Sequence, residues 1–515
     1  MNRRTLLLSI ISGLLLTASF PPFDLSLLAW VGLVPLLISL KGQDERTGFY
    51  LGAIAGLAFF IGTVFWVTNS VHFYGNIPLL PASLITLLLC AYLALYPALF
   101  GAIIVCGGKK CPALLFLMAP AAWTALELAR AYVFSGFPWA LLGYSQYRVL
   151  PMIQIANITG VYGVTFLIVL VNTAIAEFLM DRKKYRGLIA AGLLLFLTLG
   201  YGFIQLREPQ GTEGIRVSLI QGNIEQDRKW DPLYQADVIA AYKRLTREAL
   251  MRNPELIIWP ETAVPFFFGG DRPGDRALTQ DLRAFVKHNK VPLLFGSPTF
   301  EVKPGRVVHL RNSAFFLDPK TDVEAVYHKI HLVPFGEYVP LKSVLFFIEK
   351  MVQAIGDFQS GKEYTLMTVR PGRPVASPGE SASPDGIKIS VVICYEIIFP
   401  HLVRKFVDRG AEVMTTVTND AWFGRTSAPY QHFAMAVLRA VENHVPVARA
   451  ANTGISGFID SNGRILEKSD IFTEAHLTST VIPSRRRTFY TRHGDLFAYA
   501  CVLVSIVMLG VRKRK

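Results

Sequence analysis

The chain has 515 residues, of which 52% are hydrophobic, 12% aromatic and only 17% charged, and its mean hydropathy is +0.37. That balance excludes one large water-soluble domain and directs attention to membrane spans. The formal net charge of +14 is distributed along the chain in a way that needs no nucleic-acid partner.

A membrane helix needs about 20 mainly apolar residues. Read from the N-terminus, the sequence predicts spans near Thr5–Phe20, Leu25–Leu40, Phe49–Asn69, Leu79–Cys106, Pro112–Phe134, Tyr162–Met180, Gly187–Leu206 and Leu496–Val511. The first is short and follows Arg3 and Arg4, as a signal peptide would. Ala18-Ser19-Phe20 is a poor small-residue cleavage site, however, and a second apolar run follows at once, so the segment reads as an uncleaved span. Basic residues gather before the first span, between the second and third (Lys41, Arg46), between the fourth and fifth (Lys109, Lys110), and between the sixth and seventh (Arg182, Lys183, Lys184, Arg186). They return after the last, at Arg512 to Lys515. Every second connection is basic, as expected for eight spans with both termini in the cytoplasm. The cluster Arg485, Arg486, Arg487 and Arg492 disagrees, but long translocated segments largely escape that rule. Inside the fifth span, Glu127 and Arg130 are spaced for a mutual ion pair.

The expected organisation is therefore a polytopic α-helical membrane bundle over residues 1–206, an extracytoplasmic domain over 207–494, and an eighth span with a basic tail over 495–515. The middle part alternates strand-like and helix-like pieces. Strands are predicted at Ile215–Asn223, in "ELIIWPE", in "VPLLFGSP", in "RNSAFFLDP" followed by "AVYHKIHLVPFGE", in "IKISVVICYE" and in "AEVMTTVTND". Helices are predicted at Ala236–Met251 and in "QHFAMAVLRAVENH", and a hairpin around Ser461-Asn462-Gly463. Such alternation predicts an α/β layered domain. The Pro-, Ser- and Gly-rich stretch Pro371–Asp385 reads as a surface loop. Of the five cysteines only Cys394 lies in this part, so it forms no internal disulfide. No Cys–His spacing suggests zinc, and neither metal nor cofactor is expected.

Chemistry sits at three strand ends: Glu261 after "LIIWP", Lys329 and Glu337 in "YHKIHLVPFGE", and Cys394 after "VVI". An isolated cysteine ending an apolar strand is ordinarily a small core residue, and an isolated lysine is ordinarily solvated. The combination is different. A thiol needs a base to ionise it, and a nearby ammonium stabilises both thiolate and oxyanion.

"WPE", "HKIHLVPFGEYVP", "CYE" and "RAVEN" (Arg439–Asn443) together resemble the Glu–Lys–Cys arrangement of the nitrilase superfamily. With seven spans before it and one after, and with "QGNIEQDRKWDP", "NDAWFG" and "FPWALLGYSQ", the whole chain resembles the membrane-bound, lipoprotein-acylating branch of that superfamily in Gram-negative bacteria. The resemblance implies an α-β-β-α nitrilase-like sandwich on the periplasmic side of the inner membrane. It implies Cys394 as acylated nucleophile, Glu261 as base and Lys329 as oxyanion stabiliser, with Glu337, Glu396 and the Tyr395 N–H in support. It also implies ping-pong acyl transfer from a phospholipid, expected to be phosphatidylethanolamine, to the N-terminal amine of diacylglyceryl apolipoproteins. Trp230 and Trp422 are expected at the substrate entrance. Two apolar stretches, Phe266–Gly270 and Leu341–Phe358 with Phe346 and Phe347, are expected to act as mobile arms toward the lipid. A tethered amidohydrolase and a non-catalytic transporter or scaffold are the alternatives.

Overall fold

The computed structural model describes residues 2–110, 114–209, 211, 213–303, 307–320, 322–338, 358–370 and 386–510. It divides into two compact units. One comprises Met1–Glu208, Thr426–Leu438 and Thr488–Lys515; the other comprises Pro209–Arg425 and Arg439–Arg487.

The first unit is helical, and each of the eight predicted segments contains helix. Among the described residues, four helices are long and apolar enough to cross a membrane: Glu45–Val64, Leu79–Lys110, Val161–Met180 and Arg182–Arg207. Leu88, Phe196, Ile204 and Ile506 are 62–70% exposed, an arrangement suited to lipid and unfavourable in water. The second predicted segment is broken into Ser26–Leu28, Ala29–Gly32 and Val34–Ser39. Pro35 removes an N–H at the last break. The backbone groups released there find side chains instead. Leu33 N–H donates to Asn172 Oδ1 at 2.8 Å, Asn172 Nδ2 donates to Ala29 O at 2.8 Å, and Ser12 donates to Gly32 O.

Glu127 and Arg130 are both buried but do not pair with each other; the predicted ion pair is not formed. Glu127 accepts from Trp123 Nε1 (3.0 Å), the Leu142 N–H (2.8 Å) and Thr165 Oγ1 (2.8 Å). Arg130 donates to the carbonyls of Phe137, Trp139 and Ala140. The reason is local: the turn 137–142 has buried backbone donors and acceptors of its own, and the two charges satisfy them separately. From that turn Trp139 Nε1 donates to Gln431 Oε1 at 2.7 Å, and Gln431 Nε2 donates to the carbonyls of Pro21 and Thr63, each at 3.1 Å.

Among the described residues, the second unit holds twelve strands: β1 Ile215–Gln221, β2 Leu256–Ile258, β3 Leu293–Lys303, β4 Val307–Asp318, β5 Asp322–His328, β6 Leu366–Val369, β7 Ile387–Ile393, β8 Val413–Thr418, β9 Val447–Ala451, β10 Gly457–Ile459, β11 Ile465–Lys468 and β12 Ala475–Val481. They form two six-stranded sheets, ordered β12-β1-β2-β3-β4-β5 and β11-β10-β9-β8-β7-β6. The sheets meet face to face, β1 on β9 and β4 on β7, and helices cover their outer faces. Helix Gln235–Leu250, for example, buries Val238, Ile239, Tyr242, Leu245 and Ala249 at helical spacing. This is the α-β-β-α sandwich expected from the sequence.

Strand direction decides where the chemistry lies. β1, β2 and β3 run parallel, and β4 and β5 each reverse the direction. β2 and β5 therefore end at the same rim, bringing the residues after Ile258 and His328 together. In the other sheet β7, β8 and β9 run parallel, so their ends also share a rim.

In the helical unit, a Cβ on Gly52 would lie 2.1 Å from the Pro97 carbonyl oxygen, and one on Gly101 2.1 Å from that of Gly48. Helices Glu45–Val64 and Leu79–Lys110 approach closely only because these positions lack side chains. Gly101→Val is expected to destabilise the helical unit by about 1–3 kcal/mol, as overpacking does. Leu88→Ala on the exposed face is expected to be nearly neutral; thermal unfolding in detergent distinguishes the two.

Candidate active site

The position of Glu261 is set by the end of β2. Trp259 is fully buried, stacks on Tyr242 at 5.1 Å and donates from Nε1 to Thr246 Oγ1 at 2.9 Å. Pro260 then ends the ladder, and Thr262 takes φ +47°. Between them Glu261 turns inward, 6% exposed. On β3, Gly296 faces this turn, and a Cβ there would lie 2.8 Å from Glu261 Cα. The Glu261 carboxylate accepts from Asn312 Nδ2 at 2.8 Å and from the Asn419 main-chain N–H at 2.9 Å.

Lys329 follows β5 directly and is 1% exposed. Its Nζ lies 3.0 Å from Glu337 and 3.7 Å from Glu261 Oε1. Burial works against the ammonium, but Glu337 and then Glu261 outweigh it, and Lys329 holds its proton more tightly than an ordinary lysine. Glu337 is itself fixed by the Val333 N–H at 2.8 Å. The Asn312 amide bridges the two carboxylates, donating to Glu261 and Glu337 at 2.8 Å each.

Cys394 closes β7 with φ +52°, a left-handed conformation that a non-glycine residue adopts only when its surroundings enforce it. The backbone reverses into the short helix Cys394–Ile398, which leaves the thiol standing at the strand end. Burial pushes the thiol well above its ordinary range. Glu261 adds to that rise, while Lys329 and a hydrogen bond with Thr418 oppose it. The resting group is a protonated thiol beside a carboxylate and an ammonium. Such a thiol is made nucleophilic only when its proton is removed during attack.

Glu396 is wholly buried and ties two of these elements together. One carboxylate oxygen accepts from Tyr327 Oη (2.7 Å) and from the N–H groups of Ile330 (2.7 Å) and His331 (3.0 Å). The other accepts from the Ile393 N–H (2.7 Å). The loop after Lys329 and the strand before Cys394 thus share one anchor. Tyr395 is buried beside Phe399, with ring centroids 5.1 Å apart.

The structure therefore brings Glu261, Lys329, Glu337, Glu396 and Cys394 together. Trp230 and Trp422 are partly exposed, at 45% and 38%. Phe346 and Phe347 lie outside the described residues, as does nearly all of the arm expected over Leu341–Phe358 and the whole of the loop Pro371–Asp385. The other expected arm is not one. Phe266 and Phe268 belong to the hydrophobic core, where Phe268 packs on Phe295 and Phe315; an apolar run beside a catalytic strand was here simply core. Sequence reasoning also missed Asn312, Asn419 and Lys229. Asn312 carries no local signal, whereas Asn419 and Lys229 stand inside the quoted stretches "NDAWFG" and "QGNIEQDRKWDP" but were not singled out there.

A thiol at a strand-end elbow, facing a buried Glu–Lys pair between two sheets, defines a carbon–nitrogen hydrolase. The Carbon-nitrogen hydrolase family model matches residues 216–489, and that of the Apolipoprotein N-acyltransferase N-terminal domain matches residues 12–174. The chain is 42% identical to an apolipoprotein N-acyltransferase of Geobacter metallireducens, covering 100% of this chain and 96% of the relative. It is 35% identical to that of Haemophilus influenzae, covering 98% and 94%. Among solved structures, an amidase of the nitrilase superfamily from Nesterenkonia AN1 matches 56% of this chain and 97% of its own, at 18% identity and a TM-score of 0.39. The chain belongs to the apolipoprotein N-acyltransferase family.

Burial raises the Glu396 carboxyl to about 7, against the N–H groups of Ile393 and His331, which hold it down. In the unfolded chain it titrates near 4.3. The folded state then binds the extra proton, so this group's contribution to stability is complete below about pH 4.3 and is lost as pH rises through about 7. Glu396→Gln is expected to flatten that part of the pH dependence while lowering stability overall, because its NH₂ meets a backbone donor. Apparent melting temperatures of both proteins between about pH 4 and pH 8 provide the check.

Proposed function

We propose that this chain transfers a fatty acyl group from a phospholipid to the free α-amine of the S-diacylglyceryl cysteine of apolipoproteins, through a thioester on Cys394. The observation that carries the reading is the buried cluster of Glu261, Lys329 and Glu337 beside Cys394, in a family of that activity and in a chain rich in membrane-length helices.

In the first half-reaction Glu261 takes the Cys394 proton as Sγ attacks the ester carbonyl. The Lys329 ammonium, with the Tyr395 N–H, stabilises the oxyanion. The ester C–O bond breaks, Glu261 returns the proton to the leaving oxygen, and a lysophospholipid departs. In the second, the α-amine attacks the thioester. Its pKa is about 7.7–8.0, so a useful fraction is neutral at the start. Glu261 takes the proton released on attack, the C–S bond breaks, and the proton returns to Cys394. Glu337 keeps Lys329 charged and in place throughout. Phosphatidylethanolamine is the proposed donor, and Trp230, Trp422, Phe346 and Phe347 are the proposed lipid contacts.

Two lipid-anchored substrates account for the helical part of the chain. Eight spans over 1–206 and 495–515, with residues 207–494 on the periplasmic side of a bacterial inner membrane, are proposed from the basic connections. A water-using amidohydrolase would have no need of such an anchor, and an intact Glu–Lys–Cys set speaks against a mere scaffold.

Intact-mass analysis of the purified protein is expected to find a fatty-acyl mass on the Cys394 peptide that hydroxylamine removes. Cys394→Ala and Cys394→Ser are expected to carry none. Glu261→Gln and Lys329→Ala are expected to slow acyl-enzyme formation from a labelled phospholipid by about a hundredfold or more. Normal acylation in the alanine variant of Cys394 excludes the mechanism. For topology, single cysteines near Lys183 and near Arg486 are expected to react from opposite sides of the membrane. Labelling of both by an impermeant reagent in intact spheroplasts rules out the eight-span arrangement.

A further inference from the structure

Glu261 is asked to move a proton in both half-reactions, yet its backbone lies beyond the ladder. β2 ends at Ile258, Pro260 has no N–H to give, and Thr262 is left-handed. The neighbours on either side are tied to β3, Gly296 N–H donating to Pro260 O at 3.2 Å and Val264 N–H to Gly296 O at 3.1 Å, and two side chains of one short helix, Gln226–Trp230, hold Glu261 itself. Lys229 Nζ donates to the main-chain oxygen of Glu261 at 2.9 Å. Gln226 Oε1 accepts from Asn419 Nδ2 at 2.7 Å, and the main-chain N–H of that same Asn419 donates to Glu261 Oε2 at 2.9 Å. Residues three apart share a helix face. A single turn thus reaches the base at its carbonyl and, through Asn419, at its carboxylate.

Lys229 is an expensive way to hold a carbonyl. It is 0% exposed. Its ammonium has three donors, yet among the described residues its one hydrogen-bond partner is that neutral carbonyl, and no carboxylate lies within ion-pairing distance. Lys329, equally buried, has two carboxylates. An unpaired ammonium in a water-free place is strongly disfavoured, and burial lowers Lys229 to about 7, against the pull of Glu261 and Cys394. These two, one after β2 and one after β7, are the titratable groups that face it.

We infer that Lys229 is a positioning residue for acylation: it fixes the main chain of Glu261 so that the carboxylate meets the Cys394 thiol, and its charge supports that thiol as it ionises. The inference rests on the acyl-enzyme reading above. Its proton stays where it is. The thiol proton passes to Glu261 and on to the leaving oxygen, and Lys229 makes that transfer easier without joining it.

Lys229→Gln keeps a donor for the carbonyl and removes the charge, whereas Lys229→Met removes both. The full chain in detergent is assayed for acyl-enzyme formation from labelled phospholipid. In parallel, the rate of iodoacetamide alkylation of the Cys394 peptide is measured at about pH 7, where part of Lys229 still carries its proton. The methionine variant is expected to acylate roughly a hundredfold more slowly, as a displaced base does. The glutamine variant is expected to be about tenfold slower, the effect of one unit in the thiol's ionisation. Both are expected to slow alkylation at that pH and to leave the phospholipid KM within about twofold of its starting value. A folded methionine variant with an undiminished alkylation rate and an undiminished acylation rate overturns the inference, even if it melts at lower temperature. Should the methionine variant not fold, the glutamine variant decides by the same two readings. Alkylation needs no lipid, so it tests Lys229 even if the wild-type chain forms no hydroxylamine-labile adduct, the result that would defeat the acyl-enzyme reading instead.

Discussion

An ammonium cannot stand in a water-free interior without carboxylates around it, and Lys329 is the point from which the rest of the site is organised. Its pairing with Glu337 and Glu261 fixes two side chains that are 76 positions apart in sequence (337 minus 261). Three charges in such a space leave lone pairs over, and Asn312 meets one on each carboxylate with a single amide. Removing one partner of a buried pair typically costs about 3–5 kcal/mol, because the other is left uncompensated. Structure and chemistry therefore share the same contacts: what keeps Lys329 charged also aims it.

That arrangement defines the state of the nucleophile. Catalytic thiols are often kept as thiolates by an exposed, electropositive setting. Here burial and the neighbouring carboxylate favour the thiol, and the ammonium only partly offsets them. In the proposed mechanism charge separation is deferred to the moment of attack, when Glu261 receives the proton and Lys329 faces the new oxyanion. The strained backbone of Cys394 serves the same end. Its φ of +52° is maintained by the Ile393 N–H, which Glu396 captures three residues further on, so the elbow and the lysine loop cannot move independently.

Much of this was legible in the sequence, for reasons that also explain what was not. Glu261 and Cys394 each follow a run of apolar, largely β-branched residues, and a charged or reactive group at the end of such a run is conspicuous; Lys329 closes the shorter Ala325-Val326-Tyr327-His328. Strand direction then does the rest, because β2 and β5 end on one rim. Asn312 sits in mid-strand within "RNSAFF", where an amide looks like any polar residue of an alternating pattern. Lys229 sits in a run of charges. The roles of both exist only in three dimensions. The reverse error occurred at Phe266 and Phe268, where hydrophobicity near a catalytic residue suggested a moving arm and the side chains turned out to pack on Phe295 and Phe315. Hydropathy found the helical segments, but the break around Leu33 depends on Asn172, which lies 139 residues away in the chain.

Gln431 gives the helical unit a peculiar history. Its amide joins the carbonyls of Pro21 and Thr63 to the indole of Trp139, all made by the ribosome hundreds of residues earlier. Asp495 arrives later still to receive the hydroxyl of Tyr132. Domains commonly fold from the N-terminus as they are synthesised. Here the unit that begins first is completed last: translation must pass through Pro209–Arg425 before the residues that finish the helical unit exist. During that interval its buried polar groups lack their final partners, so the nascent bundle is a provisional structure, and a stalled or truncated chain ends with that part incomplete.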